Sequence, residues 1–525
     1  MQSRTAHDNR WRTLAVLAVS LIVITIDGTV VNTALPTLAR ELDASASQLQ
    51  WIVDAYNLVF AAFLLAAGSL SDRLGRKGML LAGLGLFGAS SAAGGLAADS
   101  AQLIVARCFM GLGAAMVFPA TLSLISNIFT GRAERARAIG LWGATAGIAI
   151  ALGPIVGGWL LGRFTWASIF FAMAPVAALA AWLVARYVPT SRDADAQALD
   201  RGGFGLSTAA ISLLVFTIIE APDAGWSSTR SIAGFLIAAA LLLGFVAWER
   251  RSRAPMLDVS LFRNPRFSAA CGAVTVSFFT LLGFIFVITQ YFQLIKNYDP
   301  LSTGVHLLPV AVSVGVASVL GTKLAVRIGT KLVVTAGLLM VTVFYLWVAT
   351  VSTSTGYATI AAQMVLYGIG MGLTSAPATE AIMGVVPVGK AGVGSAVNDA
   401  TRLLGGTLGV AVIGSVYASV YANRLTSTLP ARLPHGLASI AHSSTGGAFA
   451  VSGRLATNGH ASLAGNVHVA AAEALVRGLS AGCLVAAAVA AAGAAAAALL
   501  LPAQPPAREA VVPVDRPTRP TAQAA

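Results

Sequence analysis

Fourteen apolar runs, each of roughly 20 residues, follow one another along this 525-residue chain. Only helices and closed barrels satisfy every backbone polar group inside a bilayer. Barrel strands alternate apolar and polar residues over about 10 residues, whereas these runs do not alternate and are rich in Ala, Leu and Gly. We therefore predict an all-α polytopic membrane protein. The predicted spans are 13–34, 48–70, 79–98, 101–124, 137–161, 166–188, 203–221, 231–249, 268–294, 302–326, 331–350, 356–382, 393–420 and 475–501.

The positive charges predict how the chain is oriented. If the chain begins in the cytoplasm, 24 of its 34 Lys and Arg residues lie in segments on that side and 7 lie outside. Short loops on the cytoplasmic side of membrane proteins carry such an excess, so we expect both termini in the cytoplasm. The net charge of +13 is then a topology signal, and we predict no nucleic-acid partner.

The remaining composition indicates the setting of the protein. The first apolar run has no small-residue cleavage site, so we expect an uncleaved first helix and not a signal peptide. All three cysteines lie in apolar runs, which predicts neither a disulfide nor a metal site. Five lysines against 29 arginines, with abundant Ala and Gly, are typical of a GC-rich bacterial genome. We therefore expect a multi-pass protein of the bacterial inner membrane.

The order of the runs predicts the domain organisation. We assign 1–190 to an N-terminal six-helix half, 191–266 to a linker with two extra spans, and 267–501 to a C-terminal six-helix half. Within the last part, 422–474 is expected to be a long outside loop. Residues 502–525, rich in Pro and Ala, are predicted to be a disordered cytoplasmic tail. Transporters built from paired six-helix halves have this layout, with a central binding site.

A short charged turn separates the second and third runs. Its sequence, from Gly68 to Lys77, is GSLSDRLGRK. It resembles the loop between the second and third helices of major facilitator superfamily transporters, where Asp and Arg side chains form a cytoplasmic latch. The resemblance implies that the latch here consists of five residues: Gly68, Asp72, Arg73, Gly75 and Arg76.

Five further strings continue this resemblance in the order in which that family has them. They are Ile26–Pro36, similar to the first-helix motif of fourteen-span drug:proton antiporters of the EmrB/QacA type; Arg107–Gly113, similar to the helix-four arginine motif; Gly147–Gly158, similar to the helix-five antiporter motif; and Leu261–Phe267 followed by Gly392–Asp399. The resemblance implies a major facilitator fold of two six-helix halves plus two extra spans. It also implies an antiporter motif at Gly153, Pro154, Gly157 and Gly158. The chain departs from the pattern at Met173, where relatives often have Asn.

Charges inside the runs are candidates for function, because a charge at mid-bilayer costs roughly 3 kcal/mol on insertion scales. Asp27 lies about 14 residues, or about 21 Å, into the first run. We predict that it alternately binds a proton and a cationic substrate; the alternative is an Asp that hydrogen-bonds to Thr29 or Asn32 and fixes the helix. Asp54 either faces the same cavity or is an interfacial acid in water.

Arg107 and Asp399 complete the predicted proton- and substrate-coupling group. Arg107 is expected to modulate a proton-binding acid, or else to be a structural arginine bonded to backbone carbonyls. Asp399 and Arg402 are three residues apart and share one helix face. They form either an intrahelical ion pair or a second site in which Asp399 binds protons or substrate.

Gln290, Glu380 and Arg402 are weaker candidates for a substrate cavity. Glu380 is close to the cytoplasmic end of its run, where solvation is the alternative. Gln290 belongs to an aromatic-rich run, and aromatic faces can hold flat lipophilic molecules and cations, although ordinary packing is the alternative. The aromatic residues of this run are Phe278, Phe279, Phe284, Phe286, Tyr291 and Phe292.

Taken together, these features predict a transporter and not an enzyme. The chain has no phosphate-binding glycine loop with Lys, so we expect no cofactor and a proton gradient as the energy source. The predicted function is export of small hydrophobic or cationic compounds in exchange for protons, by a monomer that alternates access between its halves. The alternatives are a dedicated exporter of one metabolite, a proton-coupled uptake symporter, and a membrane sensor or scaffold that does not transport.

Overall fold

The protein is almost entirely helical in the computed structural model, which describes residues 2–42, 44, 46–191, 200–252, 255–430, 433–443 and 445–502. The predicted tail therefore lies outside the described residues from 503 onward. The helices are α1 Gln2–Glu41, α2 Ala46–Leu74, α3 Arg76–Gly95, α4 Ser100–Ile128, α5 Arg132–Leu161, α6 Ala167–Tyr187, α7 Arg201–Ala224, α8 Thr229–Arg251, α9 Pro265–Gln290, α10 Pro300–His306, α11 Leu308–Ile328, α12 Thr330–Val348, α13 Tyr357–Val385, α14 Ala391–Thr428, α15 His435–Ser443, α16 Thr445–Thr457 and α17 Ala461–Leu500.

Fourteen segments of the described chain are long and apolar enough to cross a membrane. They are α1 to α9, the α10–α11 pair, and α12, α13, α14 and α17. The predicted all-α membrane protein with fourteen spans is confirmed. Helices α15 and α16 are too short to cross a bilayer, which needs about 20 residues.

The spans form two halves, each with its own apolar core. Helices α1 to α6 enclose buried residues such as Leu17, Leu84 and Val117, and the helices from α9 onward enclose a second core around Phe284 and Ile413. The helices run alternately up and down, so the α2–α3 turn and the beginnings of α5, α9 and α14 meet at one end of the bundle. We call this end the basic end, because arginines are concentrated there.

Helices α7 and α8 form a hairpin at the edge of the bundle. Helix α7 packs against α2 of the first half and α14 of the second. The Trp51 and Phe216 rings are stacked with centroids 6.0 Å apart, and the Trp226 indole donates a hydrogen bond to Ser415 Oγ at 2.9 Å. Helix α8 contacts α7 and leaves large apolar side chains such as Leu243, 70% exposed, on its outer side. The hairpin thus lies over the seam between the two halves.

The region predicted as a long outside loop, 422–474, contains mostly helix. It holds the end of α14, the short helices α15 and α16, and the beginning of α17. Helix α17 begins at Ala461, well before the predicted start of the last span, because its early residues are rich in Ala, the strongest helix former. Helix α16 packs along α17, with the Ser452 hydroxyl bonded to the Ala464 carbonyl at 2.9 Å.

Candidate functional site

An ion pair of Asp27 and Arg107 lies at the centre of the first half. Arg107 Nη1 of α4 is 2.5 Å from Asp27 Oδ2 of α1. Both residues are almost fully buried, at 0% and 1% exposure. The arginine also donates from Nε to the Ile52 carbonyl of α2 at 2.9 Å, and its guanidinium lies 4.3 Å from the centre of the Tyr56 ring. One arginine thereby joins three helices.

The two members of this pair differ in how many partners they have. Asp27 Oδ1 is buried and accepts no hydrogen bond from a described residue. Arg107, in contrast, has the Ile52 carbonyl and the Tyr56 ring in addition to the carboxylate. If Asp27 were protonated, Arg107 would therefore keep two of its three contacts. A buried charge without its counter-charge is strongly destabilising, and these two neutral contacts lower that cost without removing it.

Asp54, the second predicted acid of the first half, lies two residues after the carbonyl that Arg107 binds. It is half-buried on α2. It is not part of the Asp27–Arg107 ion pair. The predicted sharing of one cavity by Asp27 and Asp54 stays a prediction.

A polar group in the second half surrounds Asp399. Asn398 donates from Nδ2 to Asp399 Oδ1 at 3.0 Å, and the Thr379 hydroxyl of α13 donates to Asn398 Oδ1 at 2.9 Å. Arg402 Nη2 in turn donates to the Thr379 hydroxyl at 3.1 Å. Asp399 and Arg402 are thus linked through two intermediate side chains, and not by the direct ion pair that their spacing allows.

The Arg402 guanidinium lies between two aromatic rings. Its Cζ is 4.5 Å from the centre of the Trp142 ring on α5 and 5.0 Å from that of Phe278 on α9. Trp142 is 1% exposed and donates from its indole nitrogen to Thr121 Oγ1 at 3.2 Å. Because α5 belongs to the first half and α9 and α14 to the second, this cation–π contact joins the halves deep inside the bundle.

The predicted latch residues lie at the basic end, where they contact the second half. Asp72 accepts hydrogen bonds from the backbone amides of Gly392 and Val393, in the first turn of α14. Arg76, fully buried, donates to Asp72 and to the carbonyls of Val388 and Gly389 at 2.8 and 2.9 Å. An anion at a helix N-terminus is stabilised by the unpaired amides and the helix dipole.

Two positions of the latch require glycine, each for a different structural reason. Gly75 has φ 112°, a conformation that side chains disfavour, and it forms the turn between α2 and α3. A Cβ on Gly68 would lie 2.6 Å from the Gly392 carbonyl oxygen and 2.6 Å from Ala396 Cβ, so α2 and α14 can cross closely only with glycine there. Arg73 is half-buried beside the turn.

Glu380 forms a second contact between the halves at the basic end. It is 3% exposed and lies 3.4 Å from Arg266 of α9, 3.6 Å from Arg135 and 4.0 Å from Arg132, both at the start of α5. Arg266 also donates to the Thr330 hydroxyl at 3.1 Å. Glu380 is therefore buried among arginines of both halves and lies away from the centre of the bundle.

The glycine-rich stretch of α5 packs on two sides. A side chain at Gly153 would collide with Thr29 of α1, and one at Gly157 would lie against Val30. On the other side, a Cβ on Gly158 would be 3.0 Å from Leu301 Cβ, and Pro154 lies against Gly304 of α10. Small residues permit such close helix contacts. The stretch thus holds α1 within the first half and also meets the second half.

Gln290 ends α9 and does not lie near the other cavity candidates. Arg266, at the start of the same helix, contacts Glu380. At about 1.5 Å per residue, Gln290 is about 36 Å farther along the helix axis. Gln290 is half-buried and is followed by a π-helical turn, Tyr291–Ile295. The structure therefore places Gln290, Arg402 and Glu380 at three different levels of the bundle.

Sequence reasoning did not find Trp142, Thr379 or Tyr56. Trp142 could have been noticed as a large aromatic side chain in a helix otherwise rich in Gly and Ala. Thr379 and Tyr56 carry no distinguishing pattern, since Thr and Tyr are common in apolar helices. Within the described residues, no three His, Cys, Asp or Glu side chains come together as a metal site.

Two bundles of six spans, embedded charges in each, and charged contacts at the junction of the bundles define a membrane transporter of the paired-halves class. The profile of the Major Facilitator Superfamily matches residues 17–410. The chain belongs to this superfamily.

Similar proteins support the same assignment. The Multidrug resistance protein Stp of Mycobacterium tuberculosis (strain CDC 1551 / Oshkosh) is 36% identical over 412 residues, which are 78% of this chain and 76% of Stp. The Multidrug efflux pump LfrA of Mycolicibacterium smegmatis is 36% identical over 445 residues, 85% of this chain and 88% of LfrA. The crystal structure of the human organic anion transporter MFSD10 (TETRAN) has the same fold, with a TM-score of 0.61, 13% identity, and coverage of 93% of this chain and 99% of MFSD10.

Proposed function

We propose that the protein exports small hydrophobic or cationic drug-like compounds across the bacterial inner membrane in exchange for protons. The observation that carries this proposal is the buried Asp27–Arg107 pair, in which the acid has one partner and the arginine has three. The similarity to Stp and LfrA, whose names describe multidrug resistance and multidrug efflux, supports the substrate class.

A proton on Asp27 changes the net charge of the buried pair from zero to +1. In the deprotonated state, Asp27 holds Arg107, and the pair is neutral. A proton on Asp27 removes the attraction, while Arg107 keeps the Ile52 carbonyl and the Tyr56 ring. Helix α1 is then less tightly bound to α4, and the buried guanidinium is left without a counter-charge. Protonation of this kind can bias a two-state bundle, because it changes the interaction energy of one state relative to the other.

The contacts at the basic end supply the element that switches. The excess of Lys and Arg at this end supports a cytoplasmic location. Asp72 and Arg76 fasten α2 and α3 to α14, and Glu380 joins α13 to α5. In the proposed cycle these contacts close the cytoplasmic side when substrate leaves outward, and they break when the monomer opens inward to bind new substrate.

The test is flux in proteoliposomes. Vesicles with an acidic lumen would be given cationic, neutral and anionic lipophilic compounds, with ethidium as the first probe. We expect the wild type to accumulate several cations as protons leave, and Asp27→Asn to lose at least about tenfold of this flux, a change equal to 1.4 kcal/mol in the coupling step. Asp99→Asn, at an exposed helix cap of α4, is the matched control and should transport like the wild type.

Each other outcome would replace the proposal. Flux of one compound class alone would indicate a dedicated exporter. Accumulation in the same direction as the protons would indicate an uptake symporter. Binding without flux would indicate a sensor or scaffold, and flux that ignores the pH gradient would exclude proton coupling.

A further inference from the structure

Arg402 occupies a slot between two aromatic rings of different halves. The Trp142 and Phe278 rings lie 4.5 Å and 5.0 Å from its guanidinium carbon. Trp142 is held in place by its hydrogen bond to Thr121 and by an edge-to-face contact with Phe118, whose ring centre is 6.2 Å away. The slot is therefore a built feature of the bundle, fixed by packing on the α5 side.

One buried polar atom beside the slot, Arg402 Nε, has no hydrogen-bond partner within the described residues. Ser395 and Asp399 are four positions apart on one face of α14, and their side chains lie close enough to interact with each other. The guanidinium is therefore held by the Thr379 hydroxyl and by the two rings, and by no carboxylate.

We propose that the Trp142–Phe278 slot is the binding site for planar organic cations, and that Arg402 occupies it in the absence of substrate as a tethered competitor. This inference rests on the proposed export function and names the substrate class of its central site. When a cation enters between the rings, Arg402 turns along α14 and pairs with Asp399. When the cation leaves, the guanidinium returns to the rings.

The chemistry of the guanidinium supports this exchange. It is a planar, delocalised cation that is weakly hydrated and stacks on aromatic faces, as flat organic cations do. Trp offers the strongest cation–π attraction of the aromatic side chains. Asp399 is one helical turn from Arg402, within the reach of an i, i+3 pair. The displaced guanidinium can therefore form an ion pair with the Asp399 carboxylate.

The other embedded acids do not compete for Arg402. Asp27 is bound by Arg107, and Glu380 is bound by Arg266 and Arg135. Asp399 is therefore the acid that the displaced guanidinium meets. Because α5 and α9 lie in different halves, a cation in the slot touches both, and its binding and release accompany the movement of the halves.

The test is equilibrium binding of ethidium to the purified full-length protein in detergent, followed by ethidium fluorescence. Arg402→Gln removes the competitor, so we expect ethidium to bind about tenfold tighter, within the range of a buried cation–π contact. Trp142→Leu removes the ring, so binding should weaken by a similar factor. Arg402→Gln combined with Trp142→Leu should bind no tighter than Trp142→Leu alone.

A second Trp–Arg contact, at the end of α5, supplies the matched control. The Arg163 guanidinium lies 4.8 Å from the Trp159 ring centre, but Trp159 is 50% exposed on the outside of the bundle. Trp159→Leu and Arg163→Gln should leave ethidium binding unchanged. If they change it as much as the slot variants do, ethidium is reporting on the detergent-facing surface and the inference is wrong.

Two further results would overturn the assignment of the slot as a binding site for cations. Unchanged or weaker ethidium binding in Arg402→Gln would show that the arginine is not a competitor, and weaker binding of fluorescein in the same variant would assign the site to anions. If Arg402→Gln does not fold, Trp142→Phe and Phe278→Leu test the site in its place. Trp142→Phe retains an aromatic ring and should bind ethidium. Phe278→Leu removes a ring and should not bind it. Since binding is measured without a gradient, these results are independent of whether the vesicles show proton-driven flux.

Discussion

The Asp72 carboxylate accepts a hydrogen bond from the Gly392 backbone amide at 2.9 Å, across the junction of the two halves. The two residues are 320 positions apart in the chain. Arg76 binds the same carboxylate and two carbonyls just before α14, so acid and base together engage both the amides and the carbonyls of one short segment. The junction is therefore held by side-chain contacts to backbone, and it requires glycine at 392, where a Cβ would collide with the Gly68 carbonyl oxygen.

Asp72→Asn should weaken this junction. The amide keeps the shape of the carboxylate but loses the charge, which at a partly buried helix N-terminus is worth up to about 2 kcal/mol. The buried Arg76 also loses its counter-charge. We expect the population closed at the basic end to fall by about tenfold relative to the open one. Pulsed EPR distances between spin labels on α2 and α14 would measure the shift. Asp99→Asn, at a cap that touches no other helix end, should leave the distances unchanged.

Gly68→Ala should prevent full closure of the same junction. The added Cβ would meet the Gly392 carbonyl oxygen and Ala396 Cβ at 2.6 Å each, so α2 and α14 must separate. Transport should be lost while the protein still folds. Gly85→Ala is the control, because its Cβ would meet nothing within 4 Å on the exposed side of α3. That variant should transport normally, with a gain of up to about 1 kcal/mol in the free energy of unfolding. Equal flux from both variants would contradict the close crossing.

Glu380→Gln should destabilise the protein markedly. Arg266 and Arg135 would then be buried without a counter-charge, which typically costs about 3–5 kcal/mol. We expect a clear drop in the melting temperature in detergent. Glu220→Gln removes an acid whose pair with Arg230 lies at the surface, with the arginine 67% exposed, and such pairs contribute about 0–1 kcal/mol. Similar melting temperatures for the two variants would refute the buried cluster.

Arg107→Lys should not preserve the central pair. A lysine ammonium is a compact point charge that cannot reach Asp27 and the Ile52 carbonyl while also lying flat on the Tyr56 ring. We expect a loss of about 1–2 kcal/mol of stability, in the range for a charged hydrogen bond, and reduced flux. Arg186→Lys, at an exposed position near the end of α6, should match the wild type. A lysine variant with full stability and flux would show that charge alone suffices.

The spans could be predicted because a membrane-spanning helix requires about 20 consecutive apolar residues. This pattern can be read from the sequence without knowing which helices pack together. The early start of α17 was not, because polar residues such as Asn466 and His468 interrupt the apolar run although the segment is helical. Helix propensity and packing on α16 decide the structure there, and a search for apolar length does not detect either.

The partners of the embedded charges could not be predicted. Asp27 and Arg107 were both identified as candidates, but 80 positions separate them, and only the packing of α1 on α4 brings them together. The spacing of Asp399 and Arg402 allows either a direct ion pair or a separate site at Asp399. In the structure the guanidinium lies instead against the Trp142 ring of another helix. Spacing within a helix shows which side chains can form a contact. Groups on neighbouring helices determine which of these contacts forms.

The α7–α8 hairpin makes the two lipid-facing seams of the bundle different. Two equivalent halves would offer lipids two equivalent seams, but α7 covers the seam between α2 and α14. The other seam, where α5 runs along α11, has no such covering helix within the described part of the chain. A molecule that diffuses in the plane of the bilayer therefore meets two layers of helices at the α2–α14 seam and one layer at the α5–α11 seam.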